Sequence, residues 1–241
     1  MRFALQILFL AIDLPLQVLV VAGLLRGAWR RLPFLFALAV VEVVVSLVEA
    51  PAALESAFGH HSPGVPYEQV YWIGQIVIDV LMYVFVVSLL YRACERLRSA
   101  RPARLTLIFG ALLVAGITFL VHYDPSQMRG VWLTPWFRDL TFTSAIMDVL
   151  LWGLLLMARD KDRQLLLLSG GLGVEFAGDA IGESIRHLAI QSHSHPLALA
   201  GSLVMAAAGA FRYYTWWRAL RRKAETNVRS GLAAVYEHSS L

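Results

Sequence analysis

Residues 73–91 read IGQIVIDVLMYVFVVSLLY, an unbroken apolar stretch with one charged side chain, Asp79. About 20 consecutive apolar residues are what an α-helix needs to cross the hydrocarbon core of a bilayer. The stretch does not alternate apolar with polar residues, as a strand of a membrane β-barrel would. It therefore predicts a transmembrane helix.

The composition of the whole chain agrees with this prediction. Of its 241 residues, 58% are hydrophobic and 16% are Asp, Glu, Lys or Arg, whereas an average soluble domain has about 25% charged residues. The mean hydropathy is +0.62. These values disfavour a soluble enzyme, and they exclude a disordered chain because disorder requires low hydrophobicity and high charge.

Seven apolar segments of helical length follow one another along the chain. They predict an all-α integral membrane protein, a bundle of seven transmembrane helices. The predicted spans cover residues 3–25, 33–57, 68–91, 105–121, 137–158, 164–190 and 196–217. Residues 1–223 are thus the transmembrane domain, and residues 224–241 are a short cytoplasmic tail. The first segment is too long for the apolar core of a signal peptide, and Asp13 interrupts it.

The distribution of cations predicts the orientation, because cytoplasmic connections are enriched in Lys and Arg. Sixteen cations lie on one side of the predicted bundle: Arg26, Arg30, Arg31, Arg92, Arg96, Arg98, Arg101, Arg104, Arg159, Lys161, Arg163, Arg218, Arg221, Arg222, Lys223 and Arg229. Four lie on the other side: Arg2, Arg129, Arg138 and Arg186. The N-terminus is therefore predicted outside and the C-terminus in the cytoplasm.

The same distribution bears on partners and localisation. The cations sit at the ends of apolar segments and form no basic stripe, so nucleic acid is not an expected partner. The expected surroundings are a lipid bilayer, as in a multi-pass protein of the plasma membrane or a bacterial inner membrane. Cys94 is the only cysteine, which excludes an intrachain disulfide. Tyr213, Tyr214, Trp216 and Trp217 are interpreted as an aromatic belt at the inner membrane interface.

A short pattern recurs in the odd-numbered spans. An aspartate flanked by apolar residues lies about ten residues from the outer end of the first, third and fifth spans: Asp13, Asp79 and Asp148. Glutamates in the second and sixth spans also correspond, Glu42 with Glu175 and Glu49 with Glu183. Spans one to three are thus predicted to match spans five to seven, with the fourth as connector, in a 3+1+3 parallel repeat.

Carboxylates inside the predicted spans are the main functional signal. A charged group at the bilayer centre costs about 2.5–3.5 kcal/mol even on the more lenient insertion scale. Eight such groups must therefore be paired, protonated, hydrogen-bonded, hydrated or bound to a cation. The eight are Asp13, Glu42, Glu49, Asp79, Asp148, Glu175, Asp179 and Glu183. Arg212 is the one cation well inside a predicted span.

Helical spacing groups these acids. Glu175, Asp179 and Glu183 are four residues apart and share one face, as do Glu42 and Glu49, seven apart. The leading hypothesis is a cation or proton site formed by this trio and the two glutamates, with Asp13, Asp79 and Asp148 at similar depth and Arg212 balancing charge. The alternative is that each acid is a neutral or hydrogen-bonded link between helices. Glycines beside the trio predict a close neighbouring helix.

Histidines on the outer side offer a weaker, separate signal. His187, His193 and His195 are borderline ligands for Zn or Cu and are predicted to lie near one another. Such histidines could also titrate near neutral pH. Neither HExxH nor a helical HxxxH pattern accompanies them.

Absent motifs narrow the function further. The two lysines, Lys161 and Lys223, are both in predicted cytoplasmic segments, so retinal bound as a Schiff base in the last helix is excluded and no other cofactor is indicated. There is no phosphate-binding loop, GxSxG or dinucleotide fingerprint, so an enzyme is not the leading interpretation. The sequence favours a polytopic membrane protein that binds, and in one version transports, a small cation or protons. The alternatives are a seven-helix sensor that signals to a separate cytoplasmic partner and a metal-dependent membrane hydrolase using the outer histidines.

Overall fold

A computed structural model describes the backbone of residues 2–58, 67–95, 100–123, 133–157 and 162–239. Within these ranges the side chains are described except at residues 2–10, 49, 51–58, 67–72, 100, 133–134 and 222–239. All structural statements below refer to this part of the chain.

The described chain is all-helical, as the sequence predicts. Its seven α-helices are α1 Arg2–Gly23, α2 Pro33–Phe58, α3 Tyr67–Cys94, α4 Ala100–His122, α5 Leu133–Met157, α6 Arg163–Gln191 and α7 His195–Ser239. Each overlaps one predicted span. Helix α7 continues well past the predicted end of the last span, so the backbone of the predicted tail is helical up to Ser239.

Six of the helices are long and apolar enough to cross a membrane. The qualifying stretches are Ala11–Ala28, Ile73–Cys94, Arg101–His122, Pro135–Met157, Arg163–Gln191 and His195–Arg221. In α2 the apolar stretch within the described side chains, Pro33–Val48, is shorter. The structure thus supports a multi-pass membrane protein, as predicted from the composition.

Six helices form a closed ring, and the seventh packs outside it. Helix α1 contacts α2, α2 contacts α3, α3 contacts α5, α5 contacts α6, α6 contacts α7, and α7 returns to α1. Helix α4 packs only against α3 and α5 among the principal contacts. Its side chains are largely exposed, as Phe109 (68%) and Leu120 (73%) illustrate, because lipid would cover this surface.

Helices α6 and α7 make the closest contact in the ring, which small residues allow. A Cβ atom added at Gly201 of α7 would lie 2.6 Å from the carbonyl oxygen of Gly182. A Cβ added at Gly178 would overlap the side chain of Ala208, and one added at Gly182 would overlap Met205. The predicted close neighbour of the α6 glycines is therefore α7, consistent with small-residue packing of membrane helices.

One half of the ring interior is filled by apolar side chains. They belong to the half in which α1, α3 and α5 end and α2 and α6 begin. We call this half the inner end, after the predicted orientation, and the opposite half the outer end. The largest fully buried side chains all lie there: Val20, Leu24, Leu35, Leu38, Phe85, Val86, Leu89, Leu151, Leu155, Leu168, Leu172 and Trp216. We call these twelve residues the apolar plug.

A π-helical turn, Leu24–Ala28, ends α1 at the inner end. Gly27 has φ +112°, a conformation that residues with a Cβ rarely adopt. This glycine ends the helix and allows the chain to turn into α2 within a few residues. The short connection keeps α1 and α2 adjacent, which places their polar residues on neighbouring walls of the ring.

Candidate ligand-binding cavity

A polar cavity of about 230 Å³ lies inside the ring, next to the apolar plug on its outer side. All six ring helices line it, and none of its lining residues belongs to α4. The polar lining residues are Gln17, Glu42, Ser46, Gln75, Asp79, Thr141, Ser144, Glu175, Asp179, Arg212 and Tyr213. Polar residues widely separated along the chain therefore meet in one place.

Arg212 occupies the centre of the site and joins two glutamates. Its Nη2 lies 2.8 Å from Oε1 of Glu42, and its Nη1 lies 2.7 Å from Oε1 of Glu175. The side chains of Arg212 and Glu42 are each 4% exposed. A planar guanidinium can bond two carboxylates in different directions at once, so Arg212 ties α7 to both α2 and α6.

Two aromatic rings of α7 pack against the guanidinium of Arg212. The Cζ atom of Arg212 lies 4.3 Å from the ring centre of Tyr213 and 4.8 Å from that of Trp216. The Trp216 indole donates a hydrogen bond to the Leu168 carbonyl oxygen at 3.0 Å and packs edge-on against Phe85. Cation–π contact with buried rings stabilises a charge that has left water.

Two further carboxylates, Asp79 of α3 and Asp179 of α6, line the cavity and are half-buried. The Gln75 amide donates a hydrogen bond to Oδ1 of Asp79 at 3.1 Å. Both residues belong to α3, so this bond is not the link between helices that the alternative interpretation predicts. The two aspartates are close enough to interact electrostatically. Neither is within salt-bridge distance of a described cation, in contrast to Glu42 and Glu175.

Four buried polar atoms near Arg212 have no hydrogen-bond partner among the described residues. They are Oδ1 of Asp13, Oε1 of Gln17, Oε2 of Glu42 and Nε of Arg212. Gln17 is otherwise anchored, because its Nε2 donates to the Tyr213 hydroxyl at 3.1 Å. Asp13 lies one helical turn from Gln17 and interacts electrostatically with both Glu42 and Arg212. Unpartnered buried atoms are uncommon in folded proteins.

Three described site residues predicted from the sequence are not among those that line the cavity: Asp13, Asp148 and Glu183. Asp148 is buried, but it accepts a hydrogen bond from the Ser169 hydroxyl at 2.6 Å and so links α5 to α6. Glu183 is 61% exposed and pairs with Arg186 at 2.9 Å on the same helix. Of the predicted trio on α6, only Glu175 and Asp179 reach the cavity, because the lumen spans little more than one helical turn of α6.

The remaining predicted site residues lack a described role in the cavity. The side chain of Glu49 lies outside the described residues. His187, His193 and His195 are exposed at the outer end of α6 and the start of α7. Within the described ranges, no group of three or more His, Cys, Asp or Glu side chains is arranged to hold a metal ion. The predicted metal site therefore has no geometric support in these ranges.

The structure also adds residues that the sequence pattern did not reveal. Gln17 is 5% exposed and Tyr213 is 5% exposed, and both line the cavity. The interpretation of Tyr213 and Trp216 as interface belt residues is wrong, since both are buried in the ring, while Tyr214 remains 42% exposed. For Trp216 the useful signal was its spacing of four residues from Arg212, which places an aromatic ring next to a helical cation. The spacing of Tyr213, one residue after Arg212, gives no such signal.

A second cavity, of about 450 Å³, lies at the inner end between the start of α2, the end of α3 and the start of α6. Its polar lining residues include Arg92, Glu95 and Asp162. The Asp162 side chain accepts hydrogen bonds from the backbone N–H groups of Gln164 and Leu165 and so caps α6. None of the predicted site residues lies there.

Known proteins give no independent guide to this cavity. Comparison of the chain with protein-family models, with curated proteins and with solved structures finds no match to any of them.

Proposed function

We propose that the protein binds a small cation or protons inside the membrane, in the cavity at the centre of the six-helix ring. The observation that carries this proposal is the charge of the lining. Glu42, Asp79, Glu175 and Asp179 line the cavity against a single cation, Arg212. If all four acids are ionised, the cavity has an excess of negative charge in a medium that solvates ions poorly.

The internal ion pairs determine which acids take up the added positive charge. Arg212 already neutralises part of the charge on Glu42 and Glu175. Asp79 and Asp179 lie beyond salt-bridge distance of the described cations, so they are the primary acceptors of a proton or cation in this proposal. Ser46, Thr141 and Ser144 supply hydroxyl groups nearby, which can serve as donors or acceptors for a ligand or for water.

The proposal includes seven membrane spans, with the N-terminus outside. Helix α2 has 26 residues, which is enough at 1.5 Å per residue to cross about 30 Å of hydrocarbon. The cation distribution supports the orientation. The ring contacts also support the 3+1+3 repeat. If α1, α2 and α3 correspond to α5, α6 and α7, the contact between α3 and α5 corresponds to the contact between α7 and α1, and both contacts are present.

The experiment compares charge-neutralised variants in two assays. Asp79→Asn, Asp179→Asn and the double variant are reconstituted into liposomes that contain a pH-reporting dye, and proton uptake is driven by an imposed membrane potential. In parallel, infrared difference spectra between acidic and alkaline samples report carboxyl groups that change protonation. We expect the double variant to lose a protonated-carboxyl band and to reduce uptake at least about tenfold, the effect of roughly 1.4 kcal/mol.

Glu183→Gln is the matched control, because it removes a carboxylate one turn further along α6, where the side chain is exposed and paired with Arg186. It should keep both the band and the uptake of the unmodified protein. A band and uptake unchanged in a folded double variant would refute the proposal. Loss of the band in a protein that shows no uptake would retain the binding site and assign it to the receptor-like class instead of to transport.

A further inference from the structure

Three unpartnered acceptor oxygens lie on α1 and α2, two of them on residues that line the cavity. They are Oδ1 of Asp13, Oε1 of Gln17 and Oε2 of Glu42. Gln17 and Glu42 are both buried and line the cavity, whereas Asp13 is half-buried and is not among the lining residues. Leaving a buried acceptor without a donor costs about 1–3 kcal/mol, so three together indicate a site built for donors supplied from outside the chain.

Two of the three side chains, Gln17 and Glu42, are held by their own neighbours, so they cannot easily satisfy one another. The Gln17 amide nitrogen donates to the Tyr213 hydroxyl, and Oε1 of Glu42 is held by Arg212. Asp13 is four residues before Gln17 on α1, which places the two on one helical face about 5–6 Å apart at Cβ. These contacts leave the three oxygens named above without a hydrogen-bond partner among the described residues.

The chemistry of these atoms selects the kind of group that would bind. A primary ammonium group has three N–H donors and one positive charge, which matches three acceptor oxygens and two carboxylates. The described residues contain no set arranged for a metal ion. The cavity of about 230 Å³ has room for roughly seven or eight non-hydrogen atoms at about 30 Å³ each, so the ligand must be small.

We propose that Asp13, Gln17 and Glu42 form a subsite that accepts hydrogen bonds from the primary ammonium group of a small organic amine. The proposal rests on the cation-binding function given above and names its ligand class. Asp79 and Asp179 lie on the α3 and α6 walls, so they complete the negative surroundings without contributing to this subsite.

The test compares two cations of equal charge that differ in N–H donors. Methylammonium has three N–H groups, whereas tetramethylammonium has none. Each is titrated as the chloride into the purified protein in detergent at constant ionic strength, with calorimetry and thermal unfolding as readouts. We expect saturable binding and a rise of the unfolding temperature with methylammonium, and neither with tetramethylammonium. Equal effects of the two cations, or no saturable effect of methylammonium, would overturn the subsite.

Variants of Gln17 assign the binding to these residues. Gln17→Leu removes one acceptor and should weaken methylammonium binding at least about tenfold, the loss expected for one hydrogen bond to a charged group. Gln17→Glu keeps the acceptor and adds negative charge, so it should bind at least as tightly as the unmodified protein. Asp139→Asn removes a carboxylate that pairs with His122 outside the cavity and should leave binding unchanged.

These variants also cover the case in which Gln17→Leu does not fold. Weaker binding by folded Gln17→Glu would then overturn the subsite without Gln17→Leu. Unchanged binding by folded Gln17→Leu would do the same. If methylammonium is preferred but Asp79→Asn and Asp179→Asn change neither uptake nor the carboxyl band, the role of Asp79 and Asp179 as primary acceptors of a proton or cation fails while the subsite stands. If instead Asp79→Asn and Asp179→Asn reduce uptake and remove the carboxyl band but methylammonium is not preferred, only the subsite is refuted.

Discussion

Arg212 combines two roles at the scale of a single residue. It is 4% exposed, and burying a guanidinium is unfavourable unless it is paired and hydrogen-bonded. Glu42 and Glu175 supply the pairing, and the rings of Tyr213 and Trp216 supply contact with its faces. The arginine therefore stabilises the ring and, at the same time, sets the charge of the cavity wall.

Replacing Arg212 alone should be strongly destabilising. In Arg212→Met, two glutamates are left buried without their cation, and breaking a buried ion pair in this way costs about 3–5 kcal/mol. The free energy of unfolding, measured by denaturant titration in detergent micelles, should fall by that amount. The triple variant Arg212→Met, Glu42→Gln, Glu175→Gln carries no buried charge in the triad and should recover most of the loss. A triple variant as unstable as Arg212→Met would contradict this explanation.

The sequence identified the charged residues of the site better than their partners. The cost of a charge in hydrocarbon made Glu42, Glu175 and Arg212 conspicuous, and the structure brings all three together. Gln17 was not conspicuous, because a neutral amide inside an apolar helix has no strong pattern. Asp148 looked equivalent to Asp79, yet its bond to Ser169 depends on how α5 and α6 pack, which one sequence does not reveal.

In helix α6, packing separates carboxylates that the sequence pattern places on one face of the helix. Glu175, Asp179 and Glu183 follow one another at helical spacing, but the ring encloses only the first two. The same helix presents Gly178 and Gly182 to α7. One helix therefore serves two neighbours: a carboxylate stripe faces the lumen and a glycine pair makes the closest interhelical contact.

Replacing glycine by alanine should have opposite effects on the free energy of unfolding at the contact between α6 and α7 and on the exposed surface of α4. In Gly178→Ala the new Cβ would overlap Ala208, so α6 and α7 must separate, and overpacking of this kind costs about 1–3 kcal/mol. Gly116→Ala on α4 adds a Cβ with no neighbour within 4 Å and should stabilise by about 0.5–1 kcal/mol because alanine has the better helix propensity. Thermal unfolding in detergent measures both. A stabilised Gly178→Ala would contradict the close packing.

The helices themselves were the most predictable elements. Apolar length and the absence of alternation were sufficient to place all seven, because satisfying backbone hydrogen bonds in lipid leaves few other structures. Their ends were less certain, as the continuation of α7 to Ser239 shows. The ring arrangement was not predictable, since the lipid-facing and ring-facing sides of these helices are nearly equally apolar.

At the scale of the whole molecule, the apolar plug separates the polar cavity from the second cavity at the inner end. Along α6 the plug covers the seven residues from Glu175 back to Leu168, about 10 Å at 1.5 Å each. A hydrated ion would have to pass between closely packed leucine, valine and aromatic side chains in this region. We therefore expect the cavity in this conformation to exchange with the outer side only.

Cysteine labelling tests this one-sided access, since Cys94 is the only native cysteine. In a Cys94→Ala background, Ser46→Cys places a thiol on the cavity wall and Leu89→Cys places one in the plug. A membrane-impermeant thiol reagent should label Ser46→Cys from the side that carries an N-terminal epitope tag, and from that side alone. Leu89→Cys should remain unlabelled from either side. Labelling of Ser46→Cys from both sides of sealed vesicles would show that the plug is open to water.

Helix α4 has a consequence for how such a molecule could arise. Its described residues line no part of the cavity and pack on the outside of the ring. In the proposed 3+1+3 repeat, this odd helix would give both groups of three the same direction through the bilayer. A three-helix ancestor that paired with a copy of itself would already enclose a central lumen with matching acids on opposite walls. Joining two such copies through one lipid-facing helix would fix them in a single chain.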